Sequence, residues 1–296
     1  MQVQLTVFDD TPCELGEGAC WDGPGALLWV DIPAGRVFRR SAADGCARRV
    51  DLGQSVGCVI PCAGGGYIAG LRDGVAVFDF DRGVTGWLDR SIAGDPHTRC
   101  NDGAIDRRGR LWVGVMRDDQ APGSGSLLCV ESGSPTRVVR EGLTVPNGLA
   151  WSGDRRVLYH IDSPRRVIEA LEFDEERGTV GAVVAEIRTP DGWGYPDGMT
   201  IDDEGHLWVA HWGGGRVSRW DPESGGCIGE ISVPARNVTS CAFGGEDLRD
   251  LYITSARDGG GSGGEVRVCR PGPVGQRPPA LPYKPHGPAP RSKDRA

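Results

Sequence analysis

The stretch Tyr195-Pro196-Asp197-Gly198-Met199-Thr200-Ile201-Asp202 decides how this chain folds. Proline fixes φ, an aspartate side chain bonds nearby backbone, and glycine tolerates a positive φ, so Pro196-Asp197-Gly198 predicts a tight turn that carries a carboxylate and leads into a strand. The same pattern, an acid or amide beside a glycine, recurs at Glu17-Gly18, Asn101-Asp102-Gly103 and Asn147-Gly148. Four turns so far apart in sequence can meet at one point only in a radial fold.

A repeated unit supports a radial fold. It is a short β-rich run, usually with an aromatic residue, followed by a turn and a second alternating run, and it occurs six times. The aligned residues are Trp29, Ile68, Trp112, Tyr159, Trp208 and Tyr252, at intervals of 39, 44, 47, 49 and 44 residues. A period of about 40–50 residues with several strands per repeat is typical of a β-propeller. The sequence therefore predicts an all-β, six-bladed β-propeller.

Two further segments complete the predicted organisation. Residues 3–8 alternate polar and apolar side chains and are expected to join the last blade, because an unpaired edge strand is a liability. We expect residues 1–270 to form a single propeller domain. Residues 271–296 are rich in proline and form a predicted tail, which we expect to be disordered after about Pro282.

The bulk composition excludes several classes of partner. The formal net charge is -8, whereas nucleic acids and anionic membrane surfaces attract basic proteins. We read no signal peptide, and no stretch reaches the roughly 18 apolar residues of a membrane span, so we predict a cytoplasmic protein that binds neither nucleic acid nor membrane. The ten cysteines show no CxxC pair and no zinc-ligand spacing, and we expect them to be reduced.

The four acid or amide turns precede the expected inner strands of four different blades. Inner strands surround the central channel of a propeller, so residues at the same end of these strands meet near the axis. Glutamate, asparagine and aspartate offer oxygen ligands only, which suits a hard divalent cation such as Ca²⁺, Mg²⁺ or Mn²⁺. Carboxylate coordination also leaves Zn²⁺ open.

At this point the sequence resembles the senescence marker protein (regucalcin)/gluconolactonase family of six-bladed propellers. The resemblance covers residues from about 9 to 270, and its motifs are specific only in combination. They are Leu15–Trp21, Arg99–Gly103 with Asp106, Gly109–Met116, Pro146–Ser152, Pro196–Met199 and Thr239–Gly245. The resemblance implies a metal-dependent hydrolase that opens sugar (aldono-) lactones to the aldonic acid.

The resemblance also implies roles for individual residues. One divalent cation (Ca, Zn, Mn, Mg or Fe) would be held by Glu17, Asn147 and Asp197, and Asp197 would also be the catalytic base that acts on a water. Arg99 and Asn101 would bind the hydroxyls and ring oxygens of the lactone.

A further substrate-binding carboxylate is expected shortly after the Gly-x-Met segment. Asp119 is the nearest match, with Asp118 as the alternative, although family members usually have glutamate there. Val115 replaces the more common threonine, and Cys100 is also atypical. Trp193, Tyr195 and Trp212 are expected to be either an apolar wall for a sugar ring or buried propeller aromatics.

Two alternative functions remain open at this stage. The same fold and metal could hydrolyse phosphotriesters or aryl esters, or the chain could be a non-catalytic calcium-binding propeller. A polar pocket with Arg99, Asn101 and Asp119 favours a polyol over an aryl ester. The expected partner is a small-molecule lactone, and the expected assembly is a monomer or a weak homo-oligomer.

Overall fold

Six four-stranded antiparallel sheets form the molecule in the computed structural model, which describes residues 3–23, 25–277 and 279. Each sheet is built from strands that follow one another in sequence, apart from the last sheet, which takes its outermost strand from near the N-terminus. The sheets pack side by side around a central channel. The predicted six-bladed β-propeller is thereby confirmed.

The first three blades occupy residues 16–143. The first comprises β2 (Gly16–Asp22), β3 (Ala26–Asp31), β4 (Arg36–Ser41) and β5 (Ala47–Asp51). The second comprises β6 (Val56–Pro61), β7 (Tyr67–Leu71), β8 (Gly74–Asp79) and β9 (Gly83–Asp89). The third comprises β10 (Thr98–Ile105), β11 (Leu111–Arg117), β12 (Gly125–Val130) and β13 (Arg137–Leu143).

The last three blades follow the same plan. The fourth comprises β14 (Pro146–Trp151), β15 (Val157–Asp162), β16 (Val167–Asp174) and β17 (Thr179–Arg188), with a 3₁₀ helix at Ser163–Arg165. The fifth comprises β18 (Tyr195–Ile201), β19 (Leu207–Trp212), β20 (Arg216–Asp221) and β21 (Gly226–Ser232). The sixth comprises β22 (Asn237–Gly244), β23 (Asp250–Ala256) and β24 (Val266–Cys269), joined by β1 (Thr6–Asp9).

The ring is closed by the N-terminal strand, as the sequence predicted. β1 runs antiparallel to β24, with Thr6 opposite Val268 and Val7 opposite Arg267. The exposed edge of the last blade is thereby paired.

The core lies between neighbouring blades. Every residue of β3 is buried, whereas the outer strand β5 is almost entirely exposed. Trp29, Trp112 and Trp208, which the repeat alignment singled out, are among the largest fully buried side chains. Aromatic and branched residues pack well on pleated surfaces, which explains why the repeat signal is aromatic.

Two local predictions need correction. Tyr195–Ile201 is a strand throughout, and the expected Pro-Asp-Gly turn is a β-bulge between Pro196 and Met199. The same backbone preferences that favour a turn here produce a local kink in a paired strand. In the first blade the register makes Leu28, rather than Trp29, the counterpart of Trp112, because Cys20 pairs with Leu28 as Ala104 pairs with Trp112.

Residues after 270 continue against the fifth and sixth blades. Gly275 forms a bridge with Asp202, and the Gln276 amide N–H donates to the Ile201 carbonyl at 3.3 Å. Gln276, Arg277 and Pro279 line one end of the central channel. The tail predicted after Pro282 lies outside the described residues.

Two chemical expectations concern the whole chain. All ten cysteines are free thiols, as expected from their spacing. Among the helices of the described residues, none is long and apolar enough to cross a membrane.

Candidate metal and active site

Each of the six inner strands contains a β-bulge at the same place. The bulges lie between Glu17 and Cys20, Val56 and Cys58, Cys100 and Gly103, Asn147 and Leu149, Pro196 and Met199, and Val238 and Cys241. A bulge bends its strand and re-aims a side chain. The repeated bulge therefore turns one residue of each blade out of the sheet pattern at one end of the channel.

The register identifies these six residues. In five blades an inner-strand residue beyond the bulge pairs with the residue of the aromatic repeat, for example Ala150 with Tyr159 and Thr200 with Trp208. In the first blade Cys20 pairs with Leu28 instead. Counting back three residues from each inner-strand partner gives one axial residue per blade, in blade order Glu17, Gly57, Asn101, Asn147, Asp197 and Thr239. We call this set the axial ring. The four acid and amide residues predicted from sequence are thus equivalent positions of one repeated structure.

One pocket of about 440 Å³ brings most predicted site residues together. Its lining includes Glu17, Arg99, Asn101, Asn147 and Asp197. A volume of this size accommodates one small ligand.

The amides of the ring belong to a hydrogen-bonded chain whose direction is fixed. The Pro196 carbonyl can only accept, so the Ser163 hydroxyl donates to it at 2.7 Å and must accept from Asn147 Nδ2 at 2.8 Å. Asn147 Oδ1 then accepts from Asn101 Nδ2 at 2.7 Å, and Asn101 Oδ1 accepts from Arg99 Nη1 at 2.6 Å. Asn147 Oδ1 keeps one lone pair for a ligand.

The two acids of the ring are buried with little compensation. Glu17 Oε2 accepts from the Gly18 amide at 2.9 Å, while Asp197 Oδ1 has no hydrogen-bond partner. A third carboxylate, Asp102, lines the channel just below and accepts from the Gly103 amide at 2.8 Å. A buried carboxylate oxygen without a partner is costly, so this arrangement calls for a cation.

The raised pKa values of the three buried carboxyl groups also favour a bound cation. Burial raises the pKa of Glu17 to about 8, and the nearby Asp102 charge adds to that rise. Burial also raises the pKa of Asp197 well above its usual range, with further contributions from the charges of Glu17 and Asp102. The pKa of Asp102 is raised to about 6, again by burial. A divalent cation among these groups would reverse the cost of ionising them.

Glu17, Asn147 and Asp197 therefore fit a bound cation on three counts. They supply oxygen atoms only, they come from three blades of one ring, and one of their oxygens is buried without a partner. Oxygen donors suit hard divalent ions such as Ca²⁺.

Arg99 lies in the pocket wall with its side chain only 12% exposed. Its Nη1 also donates to the Cys100 carbonyl at 3.0 Å, and its Nε lies 3.5 Å from Asp118 Oδ1. Burial lowers its pKa, and the Asp118 charge opposes that change. The guanidinium is therefore held in place while it lines the pocket.

The structure does not bring Asp119 to the described pocket lining. Its carboxylate is exposed and accepts from Arg117 Nε and Nη2, both at 3.1 Å, and from the Ala121 amide at 3.2 Å. Gln120, with a φ of 52°, lines the pocket instead. Asp118, the alternative, is bonded to Arg72 at 2.8 Å.

Three residues hold the ring in place: the sequence pattern already indicated a structural, turn-anchoring role for Asp162, whereas Asp31 and Ser163 were missed. Asp31 accepts from the Glu14 and Leu15 amides, both at 3.1 Å, just before Glu17. Asp162 accepts from the Val145 amide at 2.8 Å, just before Asn147. The available signal was that both aspartates end the second strand of their blade. Ser163 gave no comparable signal, because its role depends on the carbonyl of the next blade.

A second cluster of possible ligands is already paired with an arginine. Asp202, Glu204 and His206 offer three atoms within reach of one ion. Arg219 lies among them, with Nη2 at 2.7 Å from Asp202 Oδ2 and 3.0 Å from His206 Nδ1, and it also pairs with Glu204. The arginine supplies the positive charge there.

The fold and the site together define a six-bladed propeller that presents an oxygen-rich candidate cation site at one end of its axis. Residues 15–257 match the model of the SMP-30/Gluconolactonase/LRE-like region. The chain belongs to this family, which confirms the resemblance drawn from its motifs.

Three similar proteins are informative. The chain is 38% identical over 250 residues to a 6-deoxy-6-sulfogluconolactonase of Pseudomonas putida, covering 83% of this chain and 85% of the relative. It is 38% identical over 272 residues to the pentonolactonase XacC of Haloferax volcanii, covering 88% of each. The solved structure of a calcium-binding protein, regucalcin, from Agrobacterium tumefaciens superposes with a TM-score of 0.88 at 27% identity, covering 94% of this chain and 97% of that one.

Proposed function

We propose that this protein is a metal-dependent lactonase that hydrolyses sugar lactones to aldonic acids. The observation that carries the proposal is the buried, unpartnered Asp197 Oδ1 beside Glu17 and Asn147 in a pocket sized for one sugar. Two relatives with 38% identity over most of the chain are lactonases by name, which supports the reaction class.

The cation, when bound by Glu17, Asn147 and Asp197, would supply Lewis acidity at the lactone carbonyl and would lower the pKa of a nearby water. The assay described below tests which of Ca, Zn, Mn, Mg and Fe is the cation. The regucalcin relative is described as calcium-binding, which makes Ca²⁺ the first ion to try.

The protein's own groups perform the remaining work. Asp197 holds the attacking water and takes its proton as the water oxygen bonds to the carbonyl carbon. The bond between that carbon and the ring oxygen then breaks, and Asp197 returns the proton to the ring oxygen, which becomes a hydroxyl. The product is an open-chain aldonic acid, which ionises to the aldonate and releases a proton to solvent.

Arg99 and Asn101 would orient the substrate. Arg99 presents donors from a guanidinium that is fixed by bonds to the Cys100 carbonyl and Asn101 Oδ1. Preorganised donors lose little entropy when they bind a hydroxyl or ring oxygen. Asn101 also orients the Asn147 amide, so it would support both the substrate and the cation.

The test is a pH-indicator assay on a panel of aldono-1,4- and 1,5-lactones. Chelated protein receives one divalent metal at a time, and acid release is compared with spontaneous ring opening. Metal-dependent acceleration with a preference among the sugars supports the proposal. Tight Ca²⁺ binding without acceleration of any lactone would overturn it and leave a calcium-binding propeller.

A further inference from the structure

Two aromatic side chains stand exposed at the mouth of the candidate site. Tyr195 and Trp212 are direct cross-strand neighbours on β18 and β19, and both line the pocket that contains Glu17 and Asp197. Their exposed fractions are 42% and 37%, although the other tryptophans of the inner and second strands are buried. Adjacent exposed aromatics beside a polar pocket are typical of a ligand-binding surface.

The ring of Tyr195 and the backbone of Trp212 are held by their surroundings. The Arg166 guanidinium lies 4.3 Å from the centre of the Tyr195 ring, and Arg166 itself is fixed in the left-handed region at φ 54° after the 3₁₀ helix. A Cβ at Gly194 would lie 2.2 Å from the Trp212 carbonyl oxygen, so the backbone beside Trp212 is closely packed. Anchored aromatic rings lose little conformational entropy when they bind a ligand.

The third aromatic of this region has a different role. Trp193 is absent from the described pocket lining and packs edge-on against His211, with ring centres 5.9 Å apart. It also contacts Trp220, and Arg216 covers it at 4.5 Å. Of the three aromatics, Tyr195 and Trp212 therefore line the pocket, whereas Trp193 packs within the blade.

Asp197 shares the fifth blade with the two aromatics, but most of the other polar groups of the pocket lie on other blades. Arg99 and Asn101 come from the third blade and Asn147 from the fourth, whereas the two aromatics come from the fifth. A ligand that fills this pocket therefore meets hydrogen-bonding groups on one side and aromatic rings on another. A sugar lactone has that amphipathic character, because its ring carries hydroxyls and also patches of C–H bonds.

We propose that Tyr195 and Trp212 form an aromatic platform that binds the C–H face of the lactone ring. The platform selects pentono- and hexonolactones whose hydroxyls leave that face uninterrupted, and disfavours epimers that project a hydroxyl into it. This inference rests on the proposed function for its reaction, but the binding surface can be tested separately.

The first test measures kinetics of the metal-loaded full-length protein. Trp212→Ala and Tyr195→Ala are each expected to raise KM for the preferred lactone by about ten-fold, with kcat changed less than about two-fold. The preference between two epimers should narrow by a similar factor. Tyr195→Phe keeps the ring and should retain the wild-type KM.

A matched control removes an aromatic ring elsewhere. Trp87 on the outer strand β9 is covered by Arg90 at 4.7 Å, much as Tyr195 is covered by Arg166, but it does not line the described pocket. Trp87→Ala should leave KM and the epimer preference unchanged. Circular dichroism and thermal melts establish that each variant is folded.

The second test measures binding without turnover. Calorimetry with D-glucono-1,5-lactam and D-galactono-1,5-lactam, which resist ring opening, should give a Kd about ten-fold weaker for Trp212→Ala than for wild type. If the wild type hydrolyses no lactone but shows this loss of lactam binding, the proposed function fails and the platform stands. Unchanged KM and Kd in folded Trp212→Ala and Tyr195→Ala, or no lactam binding by the wild type, would overturn the platform.

Discussion

Asp197 and Asp202 lie at opposite ends of one inner strand and are both buried, yet their surroundings differ completely. Asp202 accepts from the Glu204 and His206 amides, from Trp208 Nε1 at 2.8 Å and from Arg219 Nε at 2.8 Å. Asp197 has an oxygen with no partner at all. Burial alone therefore does not distinguish the two carboxylates, whereas hydrogen-bond satisfaction separates Asp197, the proposed site residue, from Asp202.

The difference has an energetic meaning. A buried carboxylate that is fully hydrogen-bonded contributes to one rigid native structure. A buried carboxylate that lacks partners costs stability unless a ligand completes its environment. We therefore expect the Asp202 end of β18 to serve stability and the Asp197 end to serve binding. Substitutions at the two ends should then affect stability and activity separately.

The largest expected effect is on activity at Asp197. Asp197→Asn keeps the shape but removes the charge that, in the proposed function, holds the cation and accepts the proton. We expect kcat to fall at least about 10³-fold, while the metal-free protein stays as stable as the wild type or becomes more stable. Lactone assays with and without metal, together with thermal melts, measure both quantities. Wild-type turnover in Asp197→Asn would contradict the assignment.

The next effect is on stability at Asp202. Asp202→Asn places an amide N–H₂ or a weaker acceptor against the Trp208 and Arg219 donors, so we expect unfolding to become easier by about 3–5 kcal/mol. The kcat of the folded fraction should remain within about two-fold of wild type. Denaturant titration measures the loss.

Asp106 in the third blade provides the matched control for that variant. It accepts from Trp112 Nε1 at 2.9 Å and from Arg110 Nε at 2.6 Å, which repeats the Asp202 arrangement. Asp106→Asn should give a similar loss of stability and no specific loss of activity. A large fall in kcat in either variant would break the proposed division between scaffold and site.

A smaller effect concerns the pH dependence of stability, which the buried imidazole of His160 should influence. His160 Nε2 has no partner, while Nδ1 accepts from Arg140 Nη1 at 3.1 Å. Burial lowers the pKa of His160 to about 3, and the Arg140 and Arg165 charges add to this change. In the unfolded chain His160 therefore becomes protonated below pH ~6.5, whereas in the folded protein it stays neutral down to about pH 3.

Stability should accordingly fall as the pH falls within that window. Relative to His160→Gln, the wild type should lose about 1.4 kcal/mol of unfolding free energy for each pH unit below ~6.5. Denaturant titrations of both proteins between pH 7 and pH 4 measure the difference in unfolding free energy. If that difference does not change with pH, His160 is not held neutral in the folded protein.

The smallest expected effect is at Asp119. Because its carboxylate is exposed and bonded to Arg117, Asp119→Asn should change kcat and KM by less than about two-fold. Gln120→Ala, which alters a residue that does line the pocket, is the comparison variant. A ten-fold rise in KM for Asp119→Asn alone would restore the substrate-binding role expected from the sequence.

The fold was predictable because its signal is repeated. The spacing of Trp112, Tyr159, Trp208 and Tyr252 reports buried positions that recur once per blade, and six weak matches reinforce one another. The four acid and amide members of the axial ring were predictable for the same reason, because an acid or amide close to a glycine recurs at one register position. Gly57 and Thr239 lack that pattern and were not predicted.

Other features depend on contacts that a local pattern does not encode. The direction of Asp119 is set by Arg117 two residues earlier, and the same residues in another loop could have turned inward. Ser163 acts through the Pro196 carbonyl of the neighbouring blade. Within the strand Tyr195–Ile201, residues 196–198 were predicted as a turn because turns and bulges share residue preferences.

The axial ring also bears on how such proteins can diversify. Each blade contributes one residue, so a single substitution can alter the charge at the centre while the blades stay intact. The choices are unequal, because a Cβ at Gly57 would lie 2.4 Å from the Asn101 carbonyl oxygen, whereas Thr239 already carries a side chain that donates to the Gly16 carbonyl at 2.5 Å. A change of side chain at the axial position is therefore tolerated more readily in the sixth blade than in the second.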